Sequence, residues 1–386
     1  MAQAATQLTW SGVLAWRLRR QCLDRRASRD EALGVIAKIC GLHAQVMSSA
    51  ELTLWARVED LKPGMVREAL WEHRSLVKTW AMRGTLHLLP ADQLPTWVAA
   101  QGVLKPRHHA KSWQKYYGLT YEEAEAMLAA IREALDGRML SREELAQEVG
   151  RIMGSEEIGG KLRDGFGALL KPSALRGDLL FAPSVGRNVR FARPDQWLSG
   201  WEPAATEVAA REVVRRYLAA YGPATREEFA RWFGMTSPAQ AGRLIEGLDE
   251  EVAPVEVEGS HAWMLAEHVP EADKAEPSGV VRLLPAFDQY VVAAPRDREA
   301  VLPEALKGRV YRQQGWLSPV LLVDGRMEGV WRHELKGERL VVGIEPFADQ
   351  PGWVRCAAEE EGEQLAGRCR EFGRTRRVRH DGPFGE

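Results

Sequence analysis

In the stretch GLHAQVMSSAEL, Gly41 to Leu52, a histidine and a glutamine stand two residues apart, at His43 and Gln45. An imidazole has an ordinary pKa near 6.5 and, when neutral, accepts a proton or a hydrogen bond; a carboxamide accepts a hydrogen bond from water but cannot take the proton outright. Side chains at i and i+2 diverge by roughly 200° on a helix and share a side in extended chain. The pair therefore works together only if a loop carries it. A blander reading is a histidine that caps a helix end beside a solvated glutamine.

The flanks favour a loop. Asp30 to Gly41 places Leu33, Ile36, Ala37 and Cys40 at helical spacing, and Gly41 suits the position just past a helix end. Ser48-Ser49-Ala50-Glu51 matches the capping box that opens a helix running through Trp55 and Val58. His43 and Gln45 are thus expected to project from a short interhelical loop. A carboxylate among apolar residues, Asp288 in PAFDQY, is read first as a turn or capping residue.

The elements that would carry such a loop repeat along the chain. SREELAQEVG (Ser141 to Gly150) and TREEFARWFG (Thr225 to Gly234) share a cap, an arginine, two carboxylates and a closing glycine. Each follows a longer helix (Tyr121 to Leu135; Thr206 to Tyr221) and precedes another (Gly160 to Leu175; Pro238 to Leu248). After these come paired strands, Leu179 to Pro183 with Val189 to Ala192, and Val252 to Val257 with His261 to Ala266. Three helices and a two-stranded wing describe the winged-helix variant of helix-turn-helix. The N-terminal region follows the plan more loosely, with helices over Val13 to Leu23, Asp30 to Gly41, Ser49 to Val58 and Gly64 to His73, then a hairpin over Leu76 to Leu89. The expected fold is α+β, mainly α: three tandem winged-helix units over 1–100, 101–200 and 201–278, then a β-rich region with a basic helical tail over 279–386. In that last part Val323-Asp324-Gly325-Arg326 is a strong hairpin signal.

The chain has 386 residues and 45% hydrophobic content, enough for several cores. It opens without a basic segment followed by an apolar run and contains no apolar stretch of about 18 residues, so a soluble cytoplasmic protein without membrane contact is expected. Cys22, Cys40, Cys356 and Cys369 are scattered, which points to neither a zinc site nor a disulfide framework. The net charge is only −2, but the charges are segregated. Gln93 to Tyr121 holds no acidic residue, Lys161 to Arg193 is basic, and Glu246 to Glu276 is acidic. One face of such a molecule suits phosphates.

MRGTLHLLPADQL (Met82 to Leu94), LLPAFDQYVV (Leu283 to Val292), PRDREAVL (Pro295 to Leu302) and PVLLVDGRMEGVWRHE (Pro319 to Glu334) together resemble the AlkZ/YcaQ-like winged-helix DNA glycosylases, over about residues 10 to 350. The resemblance implies a concave DNA-binding channel and excision of alkylated bases, typically N7-modified purines, including bulky genotoxin adducts and interstrand crosslinks. It also implies a catalytic Gln-x-Gln or Gln-x-Asp motif after an early helix. His43-Ala44-Gln45 falls on that motif with histidine replacing the first glutamine, which bears on substrate range more than on activity class. Gln45 then positions a water and His43 serves as general base or hydrogen-bonding partner, with no metal or cofactor expected. The expected partner is double-stranded DNA carrying alkylated bases, bound by a monomer. DNA contacts are expected at Arg83, Lys105, Arg107, His108, His109, Lys111, Arg187, Arg190 and, at the tip of its hairpin, Arg326. Two rival readings use the same motifs without catalysis: a winged-helix transcription regulator and a lesion-binding DNA protein.

Overall fold

The computed structural model describes residues 5–372, apart from Phe166, Pro203 and Gly337-Glu338. A short strand, β1 (Thr6–Leu8), leads into the helix Trp10–Arg20. Helices Ala32–Lys38, Met47–Trp55 and Met65–Trp71 then surround a sheet of β2 (Leu42–His43), β3 (Leu76–Trp80) and β4 (Leu86–Pro90) in the order β2-β4-β3. The second unit has helices Tyr121–Ala134, Arg142–Met153, Glu156–Asp164 and Lys171–Arg176 with β5 (Leu140–Ser141), β6 (Leu180–Val185) and β7 (Asn188–Ala192), ordered β5-β7-β6. The third has helices Thr206–Tyr221, Arg226–Phe233 and Pro238–Glu246 with β8 (Val252–Val257) and β9 (Ser260–Leu265). A four-stranded sheet of β10 (Val281–Leu284), β11 (Val320–Val323), β12 (Arg326–Lys336) and β13 (Arg339–Pro346) follows, with the helix Gly352–Phe372 against it.

The repeated helix starts form as their residues dictate. Ser141 and Thr225 each accept from the backbone N–H three residues on, while Glu144 and Glu228 reach back to the cap N–H. Each such closure contributes about 1 kcal/mol. The segment expected as one helix over Gly160 to Leu175 is broken: helices Glu156–Asp164 and Lys171–Arg176 flank Gly165 and Gly167. Gly167 has φ +80°, and a Cβ there would lie 3.0 Å from the Trp80 ring, so the chain turns under that tryptophan instead of continuing. The linker after the first unit also contains helices Leu94–Gln101 and Lys111–Tyr117, which the residue pattern did not announce.

The units are not independent. β1 pairs in parallel with β8 and so completes the third unit's sheet from the chain's beginning. The Trp10 N–H donates to Glu258 in the β8–β9 turn at 2.9 Å. One continuous core joins Trp16 and Val35 of the first unit to Val255 of the third and to Leu283 and Val320 of the C-terminal sheet. A second core packs Trp97 and Met82 against Tyr217 and Trp232. Among the described residues no helix is long and apolar enough to cross a membrane. In the arginine-rich tail, Arg374, Arg376, Arg377 and Arg379 lie outside the described residues.

Candidate active site on the loop Gly41 to Val46

The loop starts where the helix Ala32–Lys38 stops. Cys40 and Gly41 are both left-handed (φ +60° and +91°), and a Cβ at Gly41 would lie 2.8 Å from the Leu88 carbonyl. Only glycine lets the chain pass this close to the sheet. Leu42 and His43 then form β2, opposite Leu88 and His87, and the Ala44 N–H donates to the Leu86 carbonyl at 2.7 Å. His43, His87 and Thr79 are register partners across the three strands, so their side chains share one face of the sheet. Beyond Ala44 the chain bends. Gln45 is exposed while His43 is only 6% exposed, so the two polar groups share a loop but differ sharply in environment. The expected capping box at Ser48 does not form: the helix starts earlier, at Met47, with Val46 as the extended residue before it.

His43 is built as a neutral ring. Burial, and then the positive charge of Arg83, push its pKa down to about 4. Its Nδ1 is buried without a hydrogen-bond partner, which leaves Nε2 for a substrate or water. One face of the ring stacks on Phe287 (centroids 4.8 Å apart, planes at 11°) and its flank meets His87 edge-on at 5.5 Å. Phe287 has φ +61°, a strained conformation for a bulky residue that the surroundings must enforce.

The next two residues hold the loop from outside. Gln289 donates through Nε2 to the Gly41 carbonyl at 2.8 Å. Asp288 caps the helix Gln289–Ala293 through the Tyr290 N–H, as its setting suggested, and also receives both terminal nitrogens of Arg57 at 2.8 and 2.7 Å. Both partners of that pair are fully buried, and Arg57 donates as well to the Thr53 carbonyl in the helix after the loop. Gly41 to Val46 is thus held at its entrance by Gln289 and over its histidine by Phe287, while Asp288, through Arg57, anchors the helix that follows the loop.

Arginines gather beside this assembly. Arg83 sits left-handed (φ +60°) in the β3–β4 turn and donates to the Trp232 carbonyl, while its other terminal nitrogen is buried without a partner. Arg231, on the same helix as Trp232, donates to the Ala294 carbonyl at 3.2 Å, and Arg296 follows two residues later with its guanidinium 4.6 Å from the Tyr311 ring centroid. Burial lowers the pKa of Arg83 to about 10, and Arg296 and Arg231 push it the same way. Among the described residues none of the three makes an ion pair. Arg231, Arg296, Phe287 and Gln289 were missed in the sequence; the last three lie within or beside strings that carry the resemblance, whereas Arg231 has no sequence signal.

The other expected DNA contacts are dispersed. Lys105, Arg107, His109 and Lys111 are exposed on the linker, and Lys171, from the basic stretch Lys161 to Arg193, lies near Arg107 and beside Gly84 of the β3–β4 turn. His108, by contrast, is buried: its Nε2 meets Glu125 at 2.8 Å, so this ring packs inward and is withdrawn from any DNA surface. His108, His109 and Glu125 bring one ligand atom each within 4.8 Å of one another, a cluster that their spacing did not announce. The Arg176 guanidinium already supplies the cation there, 2.6 Å from Glu125, whose carboxyl it holds near pKa 2. Arg187 is exposed at the β6–β7 turn, and Arg190 is tied to the Pro183 carbonyl. Arg326 needs correcting. Gly325 packs on Leu14 and Tyr290, and Arg326 is held by Glu328 and the Ala300 carbonyl, so this turn is seated on the core and does not protrude toward a groove.

The assembly can place a neutral imidazole and an exposed carboxamide at the border of a cationic surface, which suits hydrolysis beside a phosphate-bearing substrate. A family model for "DNA glycosylase AlkZ-like" matches residues 36–368. An "Interstrand DNA cross-link repair glycosylase" of Streptomyces sahachiroi is 37% identical over 369 residues, covering 93% of this chain and 96% of that protein. The solved Streptomyces sahachiroi DNA glycosylase AlkZ superposes with a TM-score of 0.84 at 34% identity, covering 95% of this chain and 98% of that one.

Proposed function

Because the chain belongs to the AlkZ-like DNA glycosylase family, we propose that it hydrolyses the N-glycosidic bond of N7-alkylated purines in duplex DNA, bulky genotoxin adducts and crosslinks included. It acts as a monofunctional enzyme and a monomer, in the cytoplasm, in base excision or self-resistance. Its three helix-and-sheet units serve as tandem winged-helix motifs that form a concave channel for DNA. The observation that carries this reading is the loop itself: His43 held neutral and stacked, Gln45 in solvent, and the arginines Arg83, Arg231 and Arg296 alongside, none of them in a salt bridge among the described residues although Asp297 lies near Arg231 and Arg296.

N7 alkylation makes guanine a cation, so the bond from C1′ to N9 breaks with its electron pair moving onto the purine, which leaves neutral. The sugar gains oxocarbenium character and water adds at C1′, releasing a proton to solvent and leaving an abasic site. Because the leaving group needs no protonation, a strong acid is superfluous. Gln45 accepts a hydrogen bond from the attacking water and aims its lone pair. His43, with its depressed pKa, is a weak proton acceptor; it contributes a fixed neutral Nε2 that orients the water or the sugar phosphate. Phosphate contacts from Arg83, Lys105, Arg107, His109, Lys111, Arg187 and Arg190 supply affinity without reading sequence.

The test is single-turnover base release from duplexes carrying N7-methylguanine or an N7-linked crosslink. Wild type is expected to generate abasic sites, and Gln45→Ala and His43→Ala to be slower by at least about tenfold, or 1.4 kcal/mol of barrier. Equal rates in all three proteins would remove the pair from the chemistry. Absence of released base from every substrate, with operator-selective or lesion-selective binding retained, would replace the enzyme with a regulator or a lesion binder.

A further inference from the structure

The rings beside the catalytic loop continue past Phe287. Trp316 meets Phe287 edge-to-face, centroids 4.9 Å apart and planes at 76°, and is 44% exposed. The series His43, Phe287, Trp316 therefore runs from the buried imidazole to a large apolar ring that is partly in solvent. The turn that carries Trp316 is well held. The Arg312 N–H donates to the Trp316 carbonyl at 2.8 Å, Tyr311 bridges to Leu317, and the turn between uses left-handed Gln314 (φ +56°) and Gly315 (φ +76°). A non-glycine residue in that region is strained, and exposing an indole forgoes the burial it would gain elsewhere. Both costs fall on one short turn at the edge of the site.

The contact with Phe287 is perpendicular, so Phe287 covers at most one face of the indole, and the residue is 44% exposed. Other aromatic faces in this molecule are taken by arginines: Arg26 over Trp55 at 4.8 Å, Arg74 over Trp197 at 3.8 Å and Arg296 over the neighbouring Tyr311. Among the described residues no arginine or lysine lies over Trp316. Tryptophan is the strongest aromatic partner for a cation, and an N7-alkylated guanine is a planar cation where unmodified guanine is neutral.

We propose that Trp316 is the residue that recognises the lesion, its free indole face stacking on the cationic N7-alkylated purine while Phe287 links that platform to His43. This rests on the reading of the substrate as an N7-alkylated purine. It assigns discrimination to charge and flatness, which a bulky adduct shares with a methyl lesion, and it leaves His43 and Gln45 to the sugar and water.

The proposal is tested by equilibrium binding, followed by fluorescence anisotropy, to three duplexes that differ at one nucleotide: guanine, N7-methylguanine on a 2′-fluorinated sugar that resists hydrolysis, and 7-methyl-7-deazaguanine. The last has the same shape without the charge. Wild type is expected to prefer the cationic lesion over both neutral ones. In Trp316→Ala and Trp316→Leu that preference should shrink by about 3- to 30-fold, while Trp316→Phe retains part of it. Thermal melting verifies that each variant is folded. Full preference in Trp316→Ala, or an equal loss of affinity for all three duplexes, overturns the proposal. Base release from unfluorinated N7-methylguanine is measured alongside. If wild type releases no base but its charge preference depends on Trp316, the glycosylase reading fails and the stacking role stands. If base is released and the preference does not depend on Trp316, the stacking role fails and the glycosylase reading stands.

Discussion

His43 is the residue whose protonation can be followed from outside. Its pKa in the folded chain, about 4, is below the ordinary 6.5, so between those values the unfolded chain binds a proton here that the folded chain refuses. Stability is then complete above about pH 6.5 and is lost as pH falls toward 4, by up to about 3 kcal/mol from this group. His87, its sheet neighbour, shifts in the same direction through burial. The melting temperature of wild type should therefore fall more steeply between pH 6.5 and 4.5 than that of His43→Leu. Base release, corrected for spontaneous depurination, should show no inflection between pH 5 and 8; a step near 6.5 would mean that the ring titrates in solvent. The break that carries His43 and Gln45 was legible because two polar groups stood between helical patterns, but not that the histidine would be buried on a strand and the glutamine exposed beyond it. Phe287 was not, since nothing local marks a ring that stacks on a residue far away in the sequence.

At the scale of elements, the loop depends on a segment from another part of the fold. The Asp288 carboxylate answers Arg57 in a fully buried bidentate pair. Replacing the acid alone strands a cation in the core, so Asp288→Ala should cost about 3–5 kcal/mol in urea unfolding and slow base release with it. Arg57→Met/Asp288→Leu, which removes both charges, should recover most of the stability. Recovery of stability without recovery of rate would assign the pair to the loop's geometry. The sequence revealed the capped helices at Ser141 and Thr225 because a capping box is a local device. It misled at Ser48, where an equally good box loses to the sheet: with Ala44 still bonded to Leu86, the chain turns at Val46 and the helix begins before the serine. Likewise the helix expected over Gly160 to Leu175 gives way at Gly165 and Gly167 because Trp80, from another unit, needs the space.

Across the whole molecule, the cationic surface is assembled from parts that separate in sequence but meet in space. Arg83 belongs to the first unit, Arg231 to the third and Arg296 to the start of the C-terminal region, and carbonyls of Trp232 and Ala294 link them. If the three grip one phosphate, Arg231→Gln, Arg296→Gln and their combination should each lower the slope of log Kd against log salt by about one, with no further fall in the double variant. A lysine at either position should keep the slope; unchanged slopes in folded glutamine variants would confine these arginines to packing. Segregated charge was visible in the sequence, but not which charges converge, because convergence is set by how the units dock. The clamp on Gly41 by Gln289 has a further consequence, for the chain's history in the cell. His43 leaves the ribosome 244 residues ahead of Phe287, which at usual elongation rates is an interval of about 10 to 50 s. Throughout that time the nascent N-terminal unit carries its histidine uncovered and its loop untied, so this arrangement comes into being only once the segment around Phe287 has been made.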